Sequence, residues 1–501
     1  MTNPAKALRI LSWPVQLVEP APLALWSAQA IAEATGGQAS GAFLAAGVAT
    51  DSREVGEGTL FFALKGEAMD GHRFVPGALA SGAAAVVVER AIDGPHVLVE
   101  DGFAALMALG AAARARTDAT IIGVTGSVGK TSVKEAIFAA LERSSQGAAH
   151  RSVKSYNNHV GVPLSLARMP QASRYGIFEM GMNHAGEIAA LTAQVRPHIA
   201  VITTIAPAHI EMLGSEEAIA DAKAEIFAGL EPRAGQAAGV AIIPADSPHY
   251  PRLRAAAQAV GATVVSFGRA PHADVRLLDA VPAAGGGSLV TADMGDRRLC
   301  YTVAAAGEHW VTNSLAVMAT VRAAGGDLGA AGLALAEMAG LAGRGARMEI
   351  AVPDGGKALL IDESYNANPA SMRATLAALA QTPAKRRLAV LGAMKELGEF
   401  APGLHAALAE PILEAGVEYA VLVGSEMAAL ADELGKQDHS ALGKPIRFAH
   451  CQNADEARMT LLAHGLAAGD AILVKGSNSV GLGALVAALS GAGPAGNRNG
   501  S

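Results

Sequence analysis

The chain alternates between short apolar runs and longer segments in which apolar residues recur every three or four positions. Residues 119–124 form a largely apolar run, and after a glycine-containing turn Val133, Ile137, Ala140 and Leu141 follow at helical spacing. The first pattern is typical of a buried strand, and the second of an amphipathic helix. Such an alternation predicts an α/β fold with helices on both faces of parallel sheets. The other strand candidates are residues 59–64, 84–88, 175–178, 199–205, 358–361, 388–391, 420–423 and 471–474.

The length of the chain predicts several domains. A single hydrophobic core does not extend over 501 residues, and about three domains are expected. We expect a small α/β domain at residues 24–118, a central doubly wound domain at 119–340 and a second doubly wound, Rossmann-like domain at 341–490. The glycine- and asparagine-rich segment 491–501 is predicted to be a disordered tail.

Five further predictions concern local elements of the chain. A helix is expected at residues 25–35, where two glycines end it, and another is expected to open at residue 307 and to reach about residue 323. Short strand-like runs and many glycines predict an antiparallel extension at residues 240–301. Residues 340–345 are a predicted linker, and residues 1–22 a predicted irregular lead-in.

Composition and charge exclude several classes of protein. The net charge of −7 argues against nucleic-acid binding. The two cysteines, Cys300 and Cys451, supply neither a disulfide framework nor a cluster of metal ligands. Every apolar stretch of membrane-spanning length is broken by a charge or a proline, and the N-terminus lacks the charged-then-apolar order of a signal peptide. These features predict a soluble cytoplasmic protein without membrane insertion.

The turn after the first central strand has the composition of a phosphate-binding loop. Its string, T-G-S-V-G-K-T at residues 125–131, departs from the common G-x-x-x-x-G-K-[ST] spacing because Val124 stands where that pattern needs a glycine. In such a loop the backbone N–H groups and the helix N-terminus face phosphates, Lys130 adds a positive charge, and Thr131 offers a hydroxyl to Mg²⁺. The alternative is an ordinary strand-to-helix turn. The flanking strand and helix favour nucleotide binding.

Two more polar residues follow predicted strands of the same sheet. Glu179 comes directly after the run 175–178, and His209 follows the run 199–205. Open α/β sheets bind ligands at the carboxyl ends of their strands, where Lys130 is also expected. One such residue is usually only solvated. Three of them in one sheet, one beside a phosphate loop, predict a site for a metal and a nucleotide.

Lys223 interrupts the apolar stripe of a predicted helix. The helix begins after Ser215, and its stripe consists of Ile219, Ile226 and Phe227 together with Leu230. A lysine in such a stripe usually extends its ammonium to solvent. If the stripe faces the sheet that carries Glu179, burial lowers the pKa of Lys223 and frees an amine that can add CO₂. The product is a carbamate, whose oxygens suit Mg²⁺.

Several strings together carry a resemblance to a known family. They are T-G-S-x-G-K-T at 125–131, T-D-S-R at 50–53, L-K-G-E at 64–67, N-N-x-x-G-V-P at 157–163, S-Y-N-A-N-P at 364–369 and L-G-x-M-K-E-L-G at 391–398. With these strings the chain resembles the Mur ligases of peptidoglycan synthesis from about residue 24 to residue 489. Within that family it is most similar to the members that join D-alanyl-D-alanine to UDP-N-acetylmuramoyl-tripeptide.

The resemblance implies an architecture and a reaction. Residues 24–118 would bind the UDP end of the substrate, 119–340 would hold ATP and two Mg²⁺ ions on a mononucleotide-binding sheet, and 341–490 would add ATP contacts and bind the amine. The implied enzyme is a monomeric, ADP-forming ligase whose partners are UDP-N-acetylmuramoyl-tripeptide and D-alanyl-D-alanine. ATP would phosphorylate the tripeptide carboxylate, and the amine would attack the acyl phosphate. The residue types fit because Lys130 and Mg²⁺ neutralise the negative charge that gathers in the first step.

The resemblance also implies roles for single residues. The expected Mg²⁺ ligands are Thr131, Glu179, His209 and Lys223, the last as a carbamylated lysine, and the expected catalytic residues are Lys130, His209 and Lys223. The expected substrate contacts are Ser52, Arg53, Lys65, Asn157 and Asn158, although the two asparagines can equally cap a turn. The expected ATP contacts are Thr125, Gly126, Ser127, Val128, Gly129, Lys130, Thr131, Asn313, Arg344, Asp362, Tyr365 and Asn366.

The sequence departs from the family pattern at one place and leaves several choices open. Trp310 stands where the family's G-x-H-N-x-x-N string has an asparagine, and either Arg344 or Arg347 fits the family's arginine. The base for the amine and the third residue of the tripeptide, lysine or diaminopimelate, stay open. A ligase that adds the third residue, or one similar to folylpolyglutamate synthase, is the nearest alternative, although no D-N-P-R string occurs. A nucleotide-driven switch is the alternative from another class.

Overall fold

The chain forms two compact units that divide after Ala105. A computed structural model describes residues 24–66, 69–208, 210–283, 286–338, 340–436 and 446–491. His209, Glu67 of the L-K-G-E string, the predicted lead-in at residues 1–22 and the tail from residue 492 lie outside the described residues. Within the described part, no helix combines the length and the apolar content that crossing a bilayer requires.

The first unit is a small α/β sheet. Within its described residues the strand order is β2-β7-β6-β5-β4, with β4 to β7 parallel and β2 antiparallel, and β1 pairs with β3. The predicted helix at 25–35 begins only at Ala28, because Ser27 caps it by accepting a hydrogen bond from the backbone of Ala30. The elements are β1 Trp26–Ser27, α1 Ala28–Thr35, β2 Gln38–Ala39, β3 Leu44–Ala45, β4 Gly47–Ala49, β5 Thr59–Phe62, α2 Val75–Ala80, β6 Ala85–Val88, β7 His96–Leu98 and α3 Gly102–Ala115, within which the two units divide.

The second unit contains a large sheet, which we call the central sheet. Its strand order over the described residues is β16-β15-β14-β13-β12-β11-β8-β10-β9. Its elements are β8 Thr120–Thr125, α4 Lys130–Ser145, β9 Ala149–Arg151, α5 Gly161–Ala167, β10 Tyr175–Glu179, α6 Glu187–Val195, β11 Ile199–Ile202, α7 Ile210–Leu213, α8 Glu216–Ala224, β12 Val240–Pro244, α9 Tyr250–Ala259, β13 Thr263–Gly268, β14 Val275–Pro282, β15 Ser288–Asp293, β16 Arg298–Val303, α10 Glu308–Ala323 and α11 Leu328–Glu337.

Apolar clusters cover both faces of the central sheet, as a doubly wound fold requires. Ile122 and Val124 of β8 pack with α4 and α10 on one face, while Ile121 of the same strand packs with α6 and α8 on the other. The prediction for residues 240–301 was partly wrong. β12, β13 and β14 pair parallel to one another and to the sheet, and the antiparallel pairs in this segment are β14 with β15 and β15 with β16. The helix α9 between β12 and β13 makes this parallel crossover possible.

The second unit also contains a second parallel sheet, the C-terminal sheet. Its order in the described residues is β17-β18-β22-β19-β20-β21, parallel except for β17. The four predicted strands are confirmed as β18, β19, β20 and β22, and the two edge strands were not predicted. The elements are β17 Ala346–Ala351, β18 Lys357–Glu363, α12 Pro369–Ala380, β19 Arg386–Gly392, α13 Ala401–Ala406, α14 Ala409–Glu414, β20 Val417–Val423, α15 Ala428–Lys436, β21 Arg447–Cys451, α16 Ala454–His464, β22 Asp470–Lys475 and α17 Leu482–Leu489.

Candidate active site

A cleft of about 360 Å³ collects polar residues from both sheets of the second unit. The central sheet and its helices contribute the turn before α4, Glu179 at the end of β10 and the start of α10. The C-terminal sheet contributes Glu363 at the end of β18 and Lys475 at the end of β22. The carboxyl ends of parallel strands therefore face this cleft, as open α/β sheets predict.

The turn between β8 and α4 has the geometry of a phosphate loop. Gly126 has φ +149°, and a Cβ there would lie 2.0 Å from Thr203 Oγ1, so a larger residue does not fit. Gly129 has φ +87° and precedes the first residue of α4. Thr203 donates a hydrogen bond to the carbonyl oxygen of Val128 at 2.6 Å, which fixes the middle of the turn. The loop is thus preformed, with the N-terminus of a long helix beside the cleft.

Lys130 folds back over this loop. Its ammonium donates a hydrogen bond to the carbonyl oxygen of Gly126 at 2.7 Å. Burial lowers the pKa of Lys130, Glu179 partly offsets this, and the positive charge of Arg344 lowers the pKa further. The charged form of a partly desolvated lysine beside a second cation is strongly stabilised when a polyanion binds in the cleft.

Glu179 and Thr131 form a compact group of oxygen atoms at the floor of the cleft. The Glu179 carboxylate is 1 % exposed and accepts hydrogen bonds from Thr131 Oγ1 and from Asn157 Nδ2, each at 2.8 Å. Ser155 Oγ lies 3.3 Å from Thr131 Oγ1. Hard oxygen donors of this kind suit Mg²⁺. No set of three or more His, Cys, Asp and Glu side chains converges among the described residues, which leave out His209.

Lys223 is buried on α8, as its place in the predicted apolar stripe implies. It is 1 % exposed, and Ile219 of the same helix and Ile226 and Phe227 of the 3₁₀ helix that follows are buried as well. Burial lowers its pKa well below 10.5, and the positive charge of Lys130 lowers it further. The side chain is therefore a free amine at a lower pH than an exposed lysine would be.

Arg344 connects the C-terminal sheet to the floor of the cleft. Its guanidinium lies 4.0 Å from the centroid of the Tyr365 ring and donates a hydrogen bond to Ser155 Oγ at 3.0 Å. Arg347, the other candidate for the family's arginine, donates to Thr382 Oγ1 and does not line the cleft. The geometry therefore favours Arg344 as the ligand-contacting arginine.

Asp362 supports the arginine loop and does not line the cleft. Its carboxylate accepts hydrogen bonds from the backbone of Gly343 at 2.7 Å and from Ser364 Oγ at 2.6 Å. The neighbouring Glu363 does line the cleft, together with Lys475. These two charged groups lie 3.8 Å apart, and burial raises the pKa of Glu363 and lowers the pKa of Lys475.

Lys475 also contacts the backbone of a predicted ATP residue. Its ammonium donates to the carbonyl oxygen of Asn366 at 2.8 Å. Neither Glu363 nor Lys475 was predicted as a site residue from the sequence. Their signal is that both occupy the last position of a parallel strand, in register with each other in β18 and β22.

The start of α10 forms a further wall of the cleft. Asn313 is buried against Gly129 of the phosphate loop, with its amide 3.1 Å from the position a Cβ would take there. Trp310, which replaces the family's asparagine, is 3 % exposed and lines the cleft. His309 Nδ1 is buried and finds no hydrogen-bond partner among the described residues, and burial lowers the pKa of His309 to about 4. A neutral imidazole and an amide thus face the cleft.

The remaining predicted residues are distributed as follows. Asn158 lines the cleft, and its side chain also accepts a hydrogen bond from the backbone of Gly161, so both of its predicted roles are compatible with the structure. Thr125 and Lys223 do not line it. Three predicted substrate residues lie in the first unit: Ser52 in a short 3₁₀ helix, Arg53 paired with Asp51, and Lys65 in an exposed turn. The cleft lining itself includes Ser127, Val128, Gly129, Lys130, Thr131, Asn157, Asn158, Glu179, Asn313, Arg344, Tyr365 and Asn366.

Comparisons with known proteins agree with this geometry. Residues 45–145 match the Mur ligase family catalytic domain, residues 124–321 the Mur ligase middle domain, and residues 346–478 the Mur ligase glutamate ligase domain. A UDP-N-acetylmuramoyl-tripeptide–D-alanyl-D-alanine ligase of Synechocystis sp. is 36% identical over 456 residues, which cover 88% of this chain and 91% of that protein.

Two solved structures have the same fold. The crystal structure of MurF from Acinetobacter baumannii superposes with a TM-score of 0.78 at 30% identity, over 93% of this chain and 99% of that one. MurF ligase from Thermotoga maritima, crystallised with ADP, superposes with a TM-score of 0.69 at 24% identity, over 89% and 97%. Because the Synechocystis ligase is 36% identical and is matched over 91% of its length, the chain belongs to the Mur ligase family.

Proposed function

We propose that this protein is an ATP-dependent, ADP-forming ligase that joins D-alanyl-D-alanine to UDP-N-acetylmuramoyl-tripeptide. The observation that carries the proposal is the shared cleft, in which a preformed phosphate loop from one sheet meets Arg344 and Lys475 from the other. Two sheets that each present cations to one polyanion suit the transfer of a phosphoryl group. The similarity to D-alanyl-D-alanine ligases over most of the chain supports this choice of substrates.

Three segments of the chain have different roles in the proposed enzyme. Residues 24–118 bind the UDP end of the substrate, with Ser52, Arg53 and Lys65 as contacts. Residues 119–340 bind ATP through the phosphate loop and Asn313, and residues 341–490 complete the nucleotide site with Arg344, Tyr365 and Asn366 and bind the amine. The enzyme works as a monomer in the cytoplasm, where ATP is available.

The oxygen atoms around Glu179 fit Mg²⁺. Thr131 and Glu179 would hold the ion, with His209 and a carbamylated Lys223 as further ligands, and Asn157 orients the carboxylate through its amide. Mg²⁺ would supply positive charge to the phosphates. Lys130 supplies the same kind of charge, and its present bond to the carbonyl oxygen of Gly126 would be replaced by one to a phosphate oxygen.

Carbamylation of Lys223 fits the burial of this side chain. The neutral amine adds to the carbon of CO₂, forms an N–C bond and releases one proton. The product is an anion, which the nearby positive charge of Lys130 stabilises. The same charge disfavours a protonated Lys223. An apolar stripe around the lysine keeps the amine unprotonated before it reacts.

The reaction proceeds in two displacements. A carboxylate oxygen of the tripeptide attacks the γ-phosphorus of ATP, and ADP leaves as the acyl phosphate forms. The amine of D-alanyl-D-alanine then attacks the acyl carbon, a tetrahedral intermediate collapses with loss of phosphate, and the amine gives up a proton. Lys130 and Arg344 would neutralise the negative charge that accumulates in the first displacement.

Phosphate release with a panel of substrates tests the proposal. We expect release to require both a UDP-muramoyl-tripeptide and D-alanyl-D-alanine, with lysine- and diaminopimelate-containing tripeptides compared side by side. A ligase that adds the third residue would instead need a UDP-muramoyl-dipeptide and the free amino acid. Release that is independent of any amine would contradict the proposal and indicate a nucleotide-driven switch.

A further inference from the structure

Lys134 is a buried cation to which neither the phosphate loop nor the proposed reaction assigns a role. It lies one helical turn after Lys130 on α4, and its side chain is 0 % exposed. Its ammonium donates hydrogen bonds to the carbonyl oxygens of Ser152 at 2.8 Å and Lys154 at 2.6 Å. Burying a charge is unfavourable unless its partners are well placed, so these contacts constrain the backbone that supplies them.

The two carbonyl groups belong to a segment, residues 152–157, that we call the anchored loop. It follows β9 and approaches Glu179, whose backbone N–H donates to Ser152 Oγ at 3.2 Å. Lys154 has φ +53°, a left-handed conformation that is unfavourable for a lysine and that an anchoring contact must hold. The ammonium of Lys134 donates its hydrogen bond to the carbonyl oxygen of this same residue.

The anchored loop supplies side chains to three groups in the cleft. Ser155 Oγ contacts Thr131 Oγ1 at 3.3 Å and accepts from Arg344 at 3.0 Å. Asn157 donates to Glu179 at 2.8 Å. The anchored loop therefore contacts all three residues, Thr131, Glu179 and Arg344, and fixes their positions relative to one another.

We propose that Lys134 is a positioning residue, which fixes the anchored loop so that Ser155 and Asn157 hold Thr131, Glu179 and Arg344 in place around a metal-bound nucleotide. The binding of a metal-bound nucleotide between these residues rests on the proposed function. The ammonium also lies 3.7 Å from Glu179 Oε2 and 3.1 Å from Glu135 Oε1. Its charge alone would weaken the attraction of Glu179 for a metal ion, whereas its anchoring strengthens the site. The two effects have opposite signs and can be separated.

The test measures the affinity for ADP with and without Mg²⁺ by calorimetry, so it does not depend on ligase activity. The variant is Lys134→Met, which keeps the length of the side chain and removes its charge. We expect the gain in ADP affinity on adding Mg²⁺ to fall about tenfold, as for other residues that orient metal ligands. Affinity without Mg²⁺ should stay within about twofold, because the phosphate loop itself is unchanged. Arg143→Met, at an exposed position of the same helix, is the matched control and should keep the full gain.

A mutant cycle distinguishes positioning from packing. The double variant Ser155→Ala/Asn157→Ala should lose the same Mg²⁺ gain, and adding Lys134→Met to it should cause little further loss, because both changes act through one loop. If the losses of the two sets of substitutions multiply in the combined variant, the proposal is overturned. It is also overturned if Mg²⁺ raises the ADP affinity of Lys134→Met as much as, or more than, that of the wild type. If Lys134→Met does not fold, a normal gain in Ser155→Ala/Asn157→Ala overturns it instead. The proposed ligase function has its own test, because phosphate release without any amine would contradict it whatever the role of Lys134.

Discussion

Exchanging Lys223 for methionine should stabilise the fold near neutral pH and remove most of the activity. Methionine has a similar length and no charge, so it fills the same place among Ile219, Ile226 and Phe227 without leaving a cavity. Burial lowers the pKa of the wild-type lysine well below 10.5, so the folded chain releases this proton at a lower pH than the unfolded chain does. Below the unfolded pKa, folding the wild type therefore includes the cost of burying this ammonium or of deprotonating it, and the variant has neither cost.

The size and sign of the effect follow from proton linkage. Between the lowered pKa of the folded state and the unfolded value near 10.5, the unfolded chain carries a proton that the folded chain lacks. Stability of the wild type contributed by this group is lost as the pH falls through that window and regained as it rises, by about 1.4 kcal/mol per pH unit. Inside this window, the stability advantage of Lys223→Met should shrink by about 1.4 kcal/mol for each unit by which the pH rises.

Urea denaturation followed by circular dichroism, at several pH values in CO₂-free buffer, measures this difference. Lys436→Met, whose side chain is 72 % exposed in the wild type, is the control and should follow the pH dependence of the wild type. Activity of Lys223→Met should fall by about two to three orders of magnitude. Lys223→Ala should be equally impaired and regain activity with short-chain carboxylates that occupy the place of the carbamate.

Two results would refute this reasoning about Lys223. A difference between wild type and Lys223→Met that does not change with pH would mean that the lysine keeps its proton in the fold, so that no free amine is available for CO₂. Near-normal turnover of either variant without an additive would mean that the side chain has no part in the reaction.

Other substitutions separate the groups around the cleft. Lys130→Ala should fold normally and lose about 10² to 10³-fold in turnover, because a charge contact to the transferred phosphoryl group disappears; near-normal phosphate release by the folded variant would refute this. Arg344→Ala should raise the KM for ATP and lower kcat, whereas Arg347→Ala should affect only thermal stability, and equal kinetic effects would show that the cleft is misassigned. Asp362→Asn should lower activity about tenfold by loosening the Gly343 backbone, with ADP titrations as the check; unchanged kinetics would contradict that support.

Much of the site could be predicted from the sequence because parallel strands place their carboxyl ends together. Lys130 follows β8 and Glu179 is the last residue of β10, which neighbours β8 in the sheet, so their position after an apolar run was enough to predict that they share one cleft. The position of Ser155 was beyond such reasoning. It depends on the conformation of a loop and on its contact with Arg344, almost two hundred residues later in the chain.

Two of the buried lysines, Lys223 and Lys134, show what a sequence pattern can and cannot predict. The burial of Lys223 was predicted because its neighbours along α8 are apolar, and that burial decides its chemistry. Lys134 also lies on the buried side of a helix, beside Val133 and Ile137. Its partners, however, are backbone carbonyls of a distant loop, and carbonyl groups leave no signal in the sequence.

The edge strands were missed for a related physical reason. β17 and β21 each have one neighbour in the C-terminal sheet and are only partly buried, so neither shows the continuous apolar run of a central strand. Strand-like runs were predicted within residues 240–301, but the parallel direction of β12 and β13 was not, because the direction of pairing depends on the crossover helix α9 between them.

The most direct test of the account follows an oxygen atom from the tripeptide. The terminal carboxylate of UDP-N-acetylmuramoyl-tripeptide is labelled with a heavy oxygen isotope, and the wild-type enzyme is given ATP, Mg²⁺ and D-alanyl-D-alanine. Because the acyl phosphate leaves as phosphate when the amine attacks, the account predicts one labelled oxygen in each phosphate released, at a rate equal to that of peptide-bond formation. Phosphate that carries no label, or that forms at the same rate without D-alanyl-D-alanine, would contradict it.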